Sequence, residues 1–383
     1  MITLSTTDLP MFFSASHAEL ATTLAHSAAE LRRQAPHREA VIPWLGGLGL
    51  LDHAVSGAHP DVRSLCLVRE ALGQASPFVD AIFAVQGLGA QALVRTPQFP
   101  HRNELLAEAR QGRITLGFAL TEPEAGSDVA SLRTTARRDG DSWLLDGEKI
   151  FISNVGIADY FTVFARVEPA PSNGKAISAF WVPKDAPGLE LLPIALSGGG
   201  DHPLGALRMK ACRLSQGALI GEIGGGMRLA LGTLDVFRTS VGAAAVGMAR
   251  RALDESIAHV RKRVQFGKPL AEFQLTQAAL ADMATELDAA RLLVYRAAWE
   301  KDQKDQAGGS QASKTSVAMA KMFATEAASR IIDRAVQLFG GSGVVASSVV
   351  AELLRDVRPL RIYEGTTEIQ KLIIGGELVS QGG

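Results

Sequence analysis

The chain has 383 residues, 39 of them basic and 40 acidic, and two cysteines. Near-neutrality without clustered Lys or Arg excludes a nucleic-acid face. Cys66 and Cys212 lie far apart and outside any C-x-x-C or Cys/His spacing, which excludes a disulfide framework and a zinc site. A chain of this length buries roughly 75% of the surface its unfolded form exposes, enough for two or three domains and a sizeable cleft.

The N-terminal "MITLSTTDLPMFF" lacks a basic n-region, and the most apolar internal run, "SVGAAAVGMA", stops at Arg250 and Arg251 before it reaches the length of a membrane span. The expectation is a soluble, untargeted, cytoplasmic protein with no membrane span. From Leu20 to about Gln111 apolar residues recur at three and four, with Gly and Pro breaks at "GLGLLDHAVSGAHPD" and "RTPQFPHR", so this zone reads as a set of helices. From Arg113 to about Gly221 the rhythm shortens to strand length. Asp-Gly pairs at 139–140 and 146–147 bracket "DSWLL" as hairpin turns would, and "RITLGFAL", "YFTVFARV", "AISAFWV" and "ALRMKACRL" are further strands.

From Met227 onward helical spacing returns, over roughly 227–262, 271–303, 313–339, 347–357 and 368–378, lengths that suit a bundle. The polar "KDQKDQAGGSQAS" reads as a loop between two of these helices. The fold class is therefore α+β: an N-terminal helical domain over 1–112, a small central antiparallel β domain over 113–221, and a C-terminal four-helix-bundle-like domain over 222–383. The run "GSGVVA" at 341–346 fits a dinucleotide fingerprint but follows a helical segment, so it reads as a Gly-rich helix end and turn.

Four stretches stand out chemically. In "LTEPEAGSD" the small residues Ala125, Gly126 and Ser127 let backbone N–H groups approach an anionic or carbonyl edge, with the hydroxyls of Thr121 and Ser127 as further partners; by itself this is equally an acidic turn after a strand. In "FIS" strand alternation puts Phe151 and Ser153 on one side, which suits a flat ring with a polar edge or a strand with one core Phe. Arg263 ends a helix before "VQFG", where a guanidinium forks onto a pyrophosphate or simply sits in solvent.

The fourth stretch is "RIYEGTTEIQ" at 361–370. Pro359 stops the preceding helix, and a capping box from Thr367 to Gln370 starts the next, leaving Glu364 on a short loop beside the unobstructed Gly365. A carboxylate so placed is either a solvated acid or a base whose pKa burial raises toward working pH.

The stretch "ALTEPEAGSDVASLRTTARRDGDSWLLDGEKIFISN" at 119–154 resembles the flavin-loop signature of acyl-CoA dehydrogenases, and the likeness extends through "RVQFGKPLAEFQ", "VQLFGGSG" and "RIYEGTTEIQ" in the family's order and spacing. It covers about Leu20 to Glu377, thinly before residue 113. The resemblance implies FAD as cofactor, held by Phe118, Leu120, Thr121, Gly126, Ser127, Phe151, Ser153, Thr366 and Glu368, with Phe151 packing on the isoalloxazine and Ser153 bonding flavin N5 where the family usually has Trp and Thr. It further implies that Arg263, Phe266, Gln274, Gln337, Gly340 and Gly341 reach the FAD of a neighbouring subunit, making a homo-oligomer, a dimer or a dimer of dimers (a homotetramer).

By the same resemblance Glu364 is the base that removes the α-proton of an acyl thioester while a hydride leaves the β-carbon for flavin N5, and its backbone N–H polarises the thioester oxygen. Ser127, Asp235, Arg238 and Gly365 then line the substrate, and an electron-transfer flavoprotein receives the electrons. Some members carry the base one residue before the Arg of "TLDVFRTS"; here that position is Phe237, which accepts no proton. "SGAHPD" and "SGGGDHPLGALRMKAC" depart from the commoner family sequences, which leaves the acyl group open and leans toward a cyclic or otherwise unusual one. An acyl-carrier-protein dehydrogenase or oxidase, or a cofactor-free scaffold of the same fold, stands as the alternative to an acyl-CoA dehydrogenase.

Overall fold

The structure, a computed structural model, describes residues 4, 6–33, 35–57, 60–196, 202–306 and 314–380, without the side chains of 304–306. In chain order the elements are α1 (Ala15–Arg33), α2 (Arg38–Gly47), α3 (Leu51–Ala54), α4 (Val62–Ala75), α5 (Pro77–Val94), α6 (Arg102–Arg110), β1 (Leu116–Ala119), β2 (Thr135–Asp139), β3 (Ser142–Ser153), β4 (Tyr160–Glu168), β5 (Ile177–Pro183), β6 (Leu189–Pro193), β7 (Leu204–Ser215) and β8 (Leu219–Ile220). They continue with α7 (Gly226–Lys262), β9 (Val264–Gln265), β10 (Lys268–Pro269), α8 (Gln274–Gln306), α9 (Lys314–Phe339), α10 (Val349–Val357) and α11 (Thr367–Ser380).

Two compact units result: one of residues 1–35, 59–80 and 235–383, the other of 36–58 and 81–234. The first is helical. Asp61 caps α4 by accepting from the Ser64 N–H at 3.0 Å, and Pro77 opens α5, where a missing N–H costs no helix bond. Helices α4 and α7 approach so closely that a Cβ on Gly73 would stand 2.6 Å from the Ala244 carbonyl oxygen, and one on Gly247 2.1 Å from that of Glu70. Glycine at both positions lets the backbones touch, and the contact brings Arg69 and Glu70 against α7.

The second unit contains an eight-stranded sheet in the order β6-β7-β3-β2-β4-β5-β8, with β1 on β4. Its core gathers Trp143, Phe161, Phe180, Leu145, Val163 and Leu207. The expected antiparallel sheet is present, with two parallel pairings in it, β1 and β2 each against β4. Gly140 turns the β2–β3 hairpin as its Asp-Gly pair indicates. Asp146–Gly147 is no turn: the pair lies inside β3 at a register shift on β7, with Gly147 at φ 143°. A bulge uses the same glycine freedom that a turn does, so the dipeptide misleads.

Two other readings are corrected. Helix α8 runs on to Gln306, through the first six residues of the expected loop at 301–313; residues 307–313 lie outside the described ones. The cap of α11 is Thr366, whose Oγ1 accepts from the Ile369 N–H at 3.3 Å, while Thr367 is already helical and donates to Glu326 at 2.7 Å. Helices α5 and α7 are long and apolar enough to cross a membrane by composition, and both are mostly buried within the protein. Cys66 and Cys212 are buried free thiols, and the described residues hold no cluster of three or more His, Cys, Asp or Glu that would bind a metal.

Candidate active site

In the helical unit, α10 gives way to a tight turn at 358–361, and the N–H groups of Ile362 and Tyr363 both return to the Pro359 carbonyl, at 2.9 and 3.0 Å. The chain then enters the left-handed region twice, at Glu364 with φ 54° and Gly365 with φ 91°. For glutamate that conformation is strained, and such strain persists only where the surroundings enforce it. They do so here through the two carbonyls. Arg238 donates to that of Glu364 at 3.1 Å, while Lys321 and Gln370 donate to that of Gly365 at 2.7 and 3.0 Å.

With its backbone pinned, the Glu364 carboxyl keeps one oxygen, Oε2, buried and without any hydrogen-bond partner. Burial pushes its pKa above the ordinary 4.5, against the pull of Arg69, Lys321 and Arg238. A buried acceptor left unpaired on a strained backbone calls for an explanation beyond folding. Arg69 behind it forks onto Asp80 at 2.9 and 2.8 Å and reaches Ser240 at 3.1 Å, all three being buried, so it is a fixed cation. Burial lowers Lys321 to about 8, with Glu364 pulling the other way.

Among the residues singled out from sequence, the structure brings together Glu364, Gly365, Arg238 and Thr366. Asp235 is engaged by Lys301 in an ion pair, and Phe237 is core. Arg69, Asp80, Lys301 and Lys321 were missed because nothing local in the sequence ties them to Glu364.

At the far end of α7 stands a different group. Arg238 and Lys262 are 24 residues apart on that helix, about 36 Å at 1.5 Å per residue. Arg263 is exposed, and Val264–Pro269 forms a two-residue hairpin whose turn, Phe266–Gly267, has φ 51° and 79°. That turn type favours Asn or Gly, yet it presents a phenylalanine that is 93% exposed. His259 stacks on Phe339 at 4.2 Å, setting the end of α7 beside the turn at 340–343, where Gly340 and Gly341 have open space around them. Gln274 and Gln337 are likewise exposed.

In the sheet unit Glu122 straps the 119–128 loop. It accepts from the N–H groups of Arg133 and Thr134 at 2.5 and 3.0 Å and from Lys149 at 2.7 Å, and Lys149 also donates to the Leu120 carbonyl at 3.1 Å. Thr121 takes the Ile150 N–H at 2.9 Å, while Gly126 and Ser127 face solvent. Phe118 packs edge-on against Phe164. Strand alternation does not govern "FIS" as expected: Ile152 is buried between its neighbours, but the register on β7 shifts between Lys149 and Ile152 and Phe151 sits at φ 57°, 62% exposed. Ser153 follows, half-buried, with its Oγ 2.9 Å from His202 Nε2.

Comparison with known proteins agrees with the fold. The profile of the acyl-CoA dehydrogenase C-terminal domain matches residues 224–379, and that of the middle domain residues 117–212. The chain is similar to the probable acyl-CoA dehydrogenase FadE25 of Mycobacterium tuberculosis, 37% identical over 367 residues, spanning 93% of this chain and 91% of the relative. Among solved structures it resembles butyryl-CoA dehydrogenase from Megasphaera elsdenii, with a TM-score of 0.87 at 30% identity over 96% of this chain and 99% of the other. It also resembles a glutaryl-CoA dehydrogenase from Mycobacterium smegmatis in complex with FADH2, with a TM-score of 0.86 at 28% identity over 98% and 97%.

The chain belongs to the acyl-CoA dehydrogenase family and is an FAD-dependent oxidoreductase. Its residues fit that cofactor. Phe151 and Phe266 are large aromatics held exposed in a strained conformation, which folding alone does not favour, and Gly126, Gly340 and Gly341 leave the backbone open to close approach.

Proposed function

We propose that the protein desaturates an acyl thioester between Cα and Cβ, with Glu364 as the base. The observation that carries this is the buried, unpaired Oε2 of Glu364 on a strained backbone, with its pKa raised. Bound FAD supplies the acceptor for the hydrogen that leaves Cβ with its electron pair. Glu364 takes the Cα proton, and the remaining electron pair closes the double bond. Its carboxylate must be ionised to act, and Arg69, Lys321 and Arg238 favour that form against desolvation. The N–H of Glu364 is the donor assigned to the thioester oxygen, where negative charge grows.

Phe118, Leu120, Thr121, Gly126, Ser127, Phe151, Ser153, Thr366 and Glu368 are assigned to FAD, with Ser153 at flavin N5. Arg263, Phe266, Gln274, Gln337, Gly340 and Gly341 are assigned to the FAD of a second subunit; the exposure of all six supports this. Ser127, Asp235, Arg238 and Gly365 are assigned to the substrate. The same reading divides the chain at 112/113 and 221/222, and it makes the working form a homo-oligomer, a dimer or a dimer of dimers. Exposed Leu372, Leu378 and Val379 on α11 support assembly. Electron-transfer flavoprotein is the assigned acceptor, and the free buried thiols suit a reducing cytoplasm.

The test is anaerobic mixing of the FAD-loaded protein with saturated acyl-CoA thioesters of graded length, branching and ring content. Bleaching of the flavin by at least one of them is expected. Protein that holds FAD and is bleached by none, while acyl-carrier-protein thioesters are also inert, contradicts the proposal.

A further inference from the structure

Ser153 has a partner that no local sequence signal revealed. His202 stands two residues before β7, and the pairing of Ile152 with Gly205 and Ser153 with Leu204 delivers its ring to the end of β3. A Cβ on Gly205 would stand 2.5 Å from Val155 Cγ1, so the close fit of β7 at that point depends on glycine. The Leu204 N–H donates to the His202 carbonyl at 2.8 Å, fixing the turn that carries the ring. Nε2 and Ser153 Oγ are then 2.9 Å apart.

A neutral imidazole carries a proton on one nitrogen and a lone pair on the other, and a hydroxyl both donates and accepts. The contact therefore runs in either of two directions. With the proton on Nε2, histidine donates to Ser153 and the hydroxyl proton is free to point elsewhere. With Nε2 bare, Ser153 donates to histidine and turns a lone pair outward. Burial lowers the His202 pKa to about 4, so the ring is neutral at working pH and both tautomers are open to it.

We propose that His202 is a positioning residue for Ser153, setting through its tautomer whether the hydroxyl offers a donor or an acceptor to the flavin. The inference rests on the assignment of Ser153 to flavin N5. That nitrogen is an acceptor in oxidised flavin and carries a proton in reduced flavin, so a hydroxyl backed by a reversible partner serves both states, whereas one with a fixed partner serves only one.

The experiment measures the midpoint potential of bound FAD, without substrate, in the holoprotein and in His202→Phe, His202→Gln, Ser153→Ala and the Phe/Ala double variant. FAD content and circular dichroism establish that each is folded, and His202→Ala replaces His202→Phe if the latter is not. Losing one hydrogen-bond partner should change the ratio of affinities for the two redox states by about two- to tenfold. His202→Phe and Ser153→Ala should shift the potential in the same direction. The double variant should shift it no further than Ser153→Ala, and His202→Gln, which can donate and accept, should return it toward wild type. A His202→Phe potential equal to wild type, or a shift that persists in full without Ser153, overturns the role of His202. A Ser153→Ala potential equal to wild type overturns the N5 assignment and this inference with it. Failure of the wild-type protein to hold FAD overturns the proposed function itself.

Discussion

Lys321 donates a 2.7 Å hydrogen bond to the carbonyl oxygen of Gly365, so a buried ammonium grips the peptide immediately after the strained Glu364. The contact does two things. It helps to hold the left-handed turn, and it places a positive charge where it opposes the desolvation of the Glu364 carboxyl.

Replacing Lys321 by Met separates these effects. A Gly365 carbonyl that keeps only Gln370 should lower stability by about 1–3 kcal/mol. Loss of the charge should raise the Glu364 pKa further. If Glu364 acts as an ionised base, as proposed, the acid limb of the pH–rate profile should move to higher pH in the variant. A limb that stays in place, or moves down, contradicts the electrostatic part of this account.

The Lys149–Glu122 pair is buried on both sides and straps the loop assigned to the flavin. Lys149→Met leaves an uncompensated buried carboxylate, which should cost about 3 kcal/mol, the low end of the usual range because the Arg133 and Thr134 N–H groups remain. Adding Glu122→Gln should recover part of the loss. Urea unfolding of the two variants checks this, and a single variant within about 0.5 kcal/mol of wild type contradicts it.

Folding depresses the His202 pKa from its ordinary 6.5 to about 4. Between those values the unfolded chain binds more protons than the folded one, so stability from this group is complete above pH 6.5 and is lost as pH falls toward 4. His202→Gln removes that dependence. Unfolding free energies at pH 7 and pH 4.5 should converge more in the variant than in wild type. An equal drop in both means that His202 does not titrate as its burial indicates.

Phe266 is at the tip of a turn that suits asparagine better. Phe266→Asn should leave thermal stability unchanged or raise it by up to about 1 kcal/mol, through relief of the left-handed strain. Lost aromatic contact should weaken FAD retention about tenfold or more, read by flavin release on dialysis. Full retention would remove Phe266 from the cofactor site.

How much of this was visible in the sequence depends on the range of the interactions. Helical spacing over 227–262 located α7 to within a residue, because a 37-residue run of apolar residues at helical spacing is a local signal. "YEGTT" put Glu364 on a loop between helices, where it is. The Asp-Gly dipeptides were ambiguous: one makes a turn and the other a bulge, decided by β7, some sixty residues away. The cap at Thr366 rather than Thr367 is a one-residue slip between adjacent threonines. The supporting groups lay out of reach. Lys321 meets Gly365 across 44 residues, His202 meets Ser153 across 49, and Arg238 meets Glu364 across 126, contacts that only the packed fold creates. Strain at Phe151, Phe266 and Glu364 was equally hidden, since a positive φ at a non-glycine residue leaves no compositional trace.

The central claim is that the carboxyl of Glu364, whose Oε2 is buried without a partner, removes the α-proton. Glu364→Gln keeps size and polarity and loses the base, so it should retain FAD while flavin reduction in anaerobic stopped flow, with whichever acyl thioester bleaches the wild type, slows by about 10² to 10⁴. Reduction at the wild-type rate in that variant would contradict the claim.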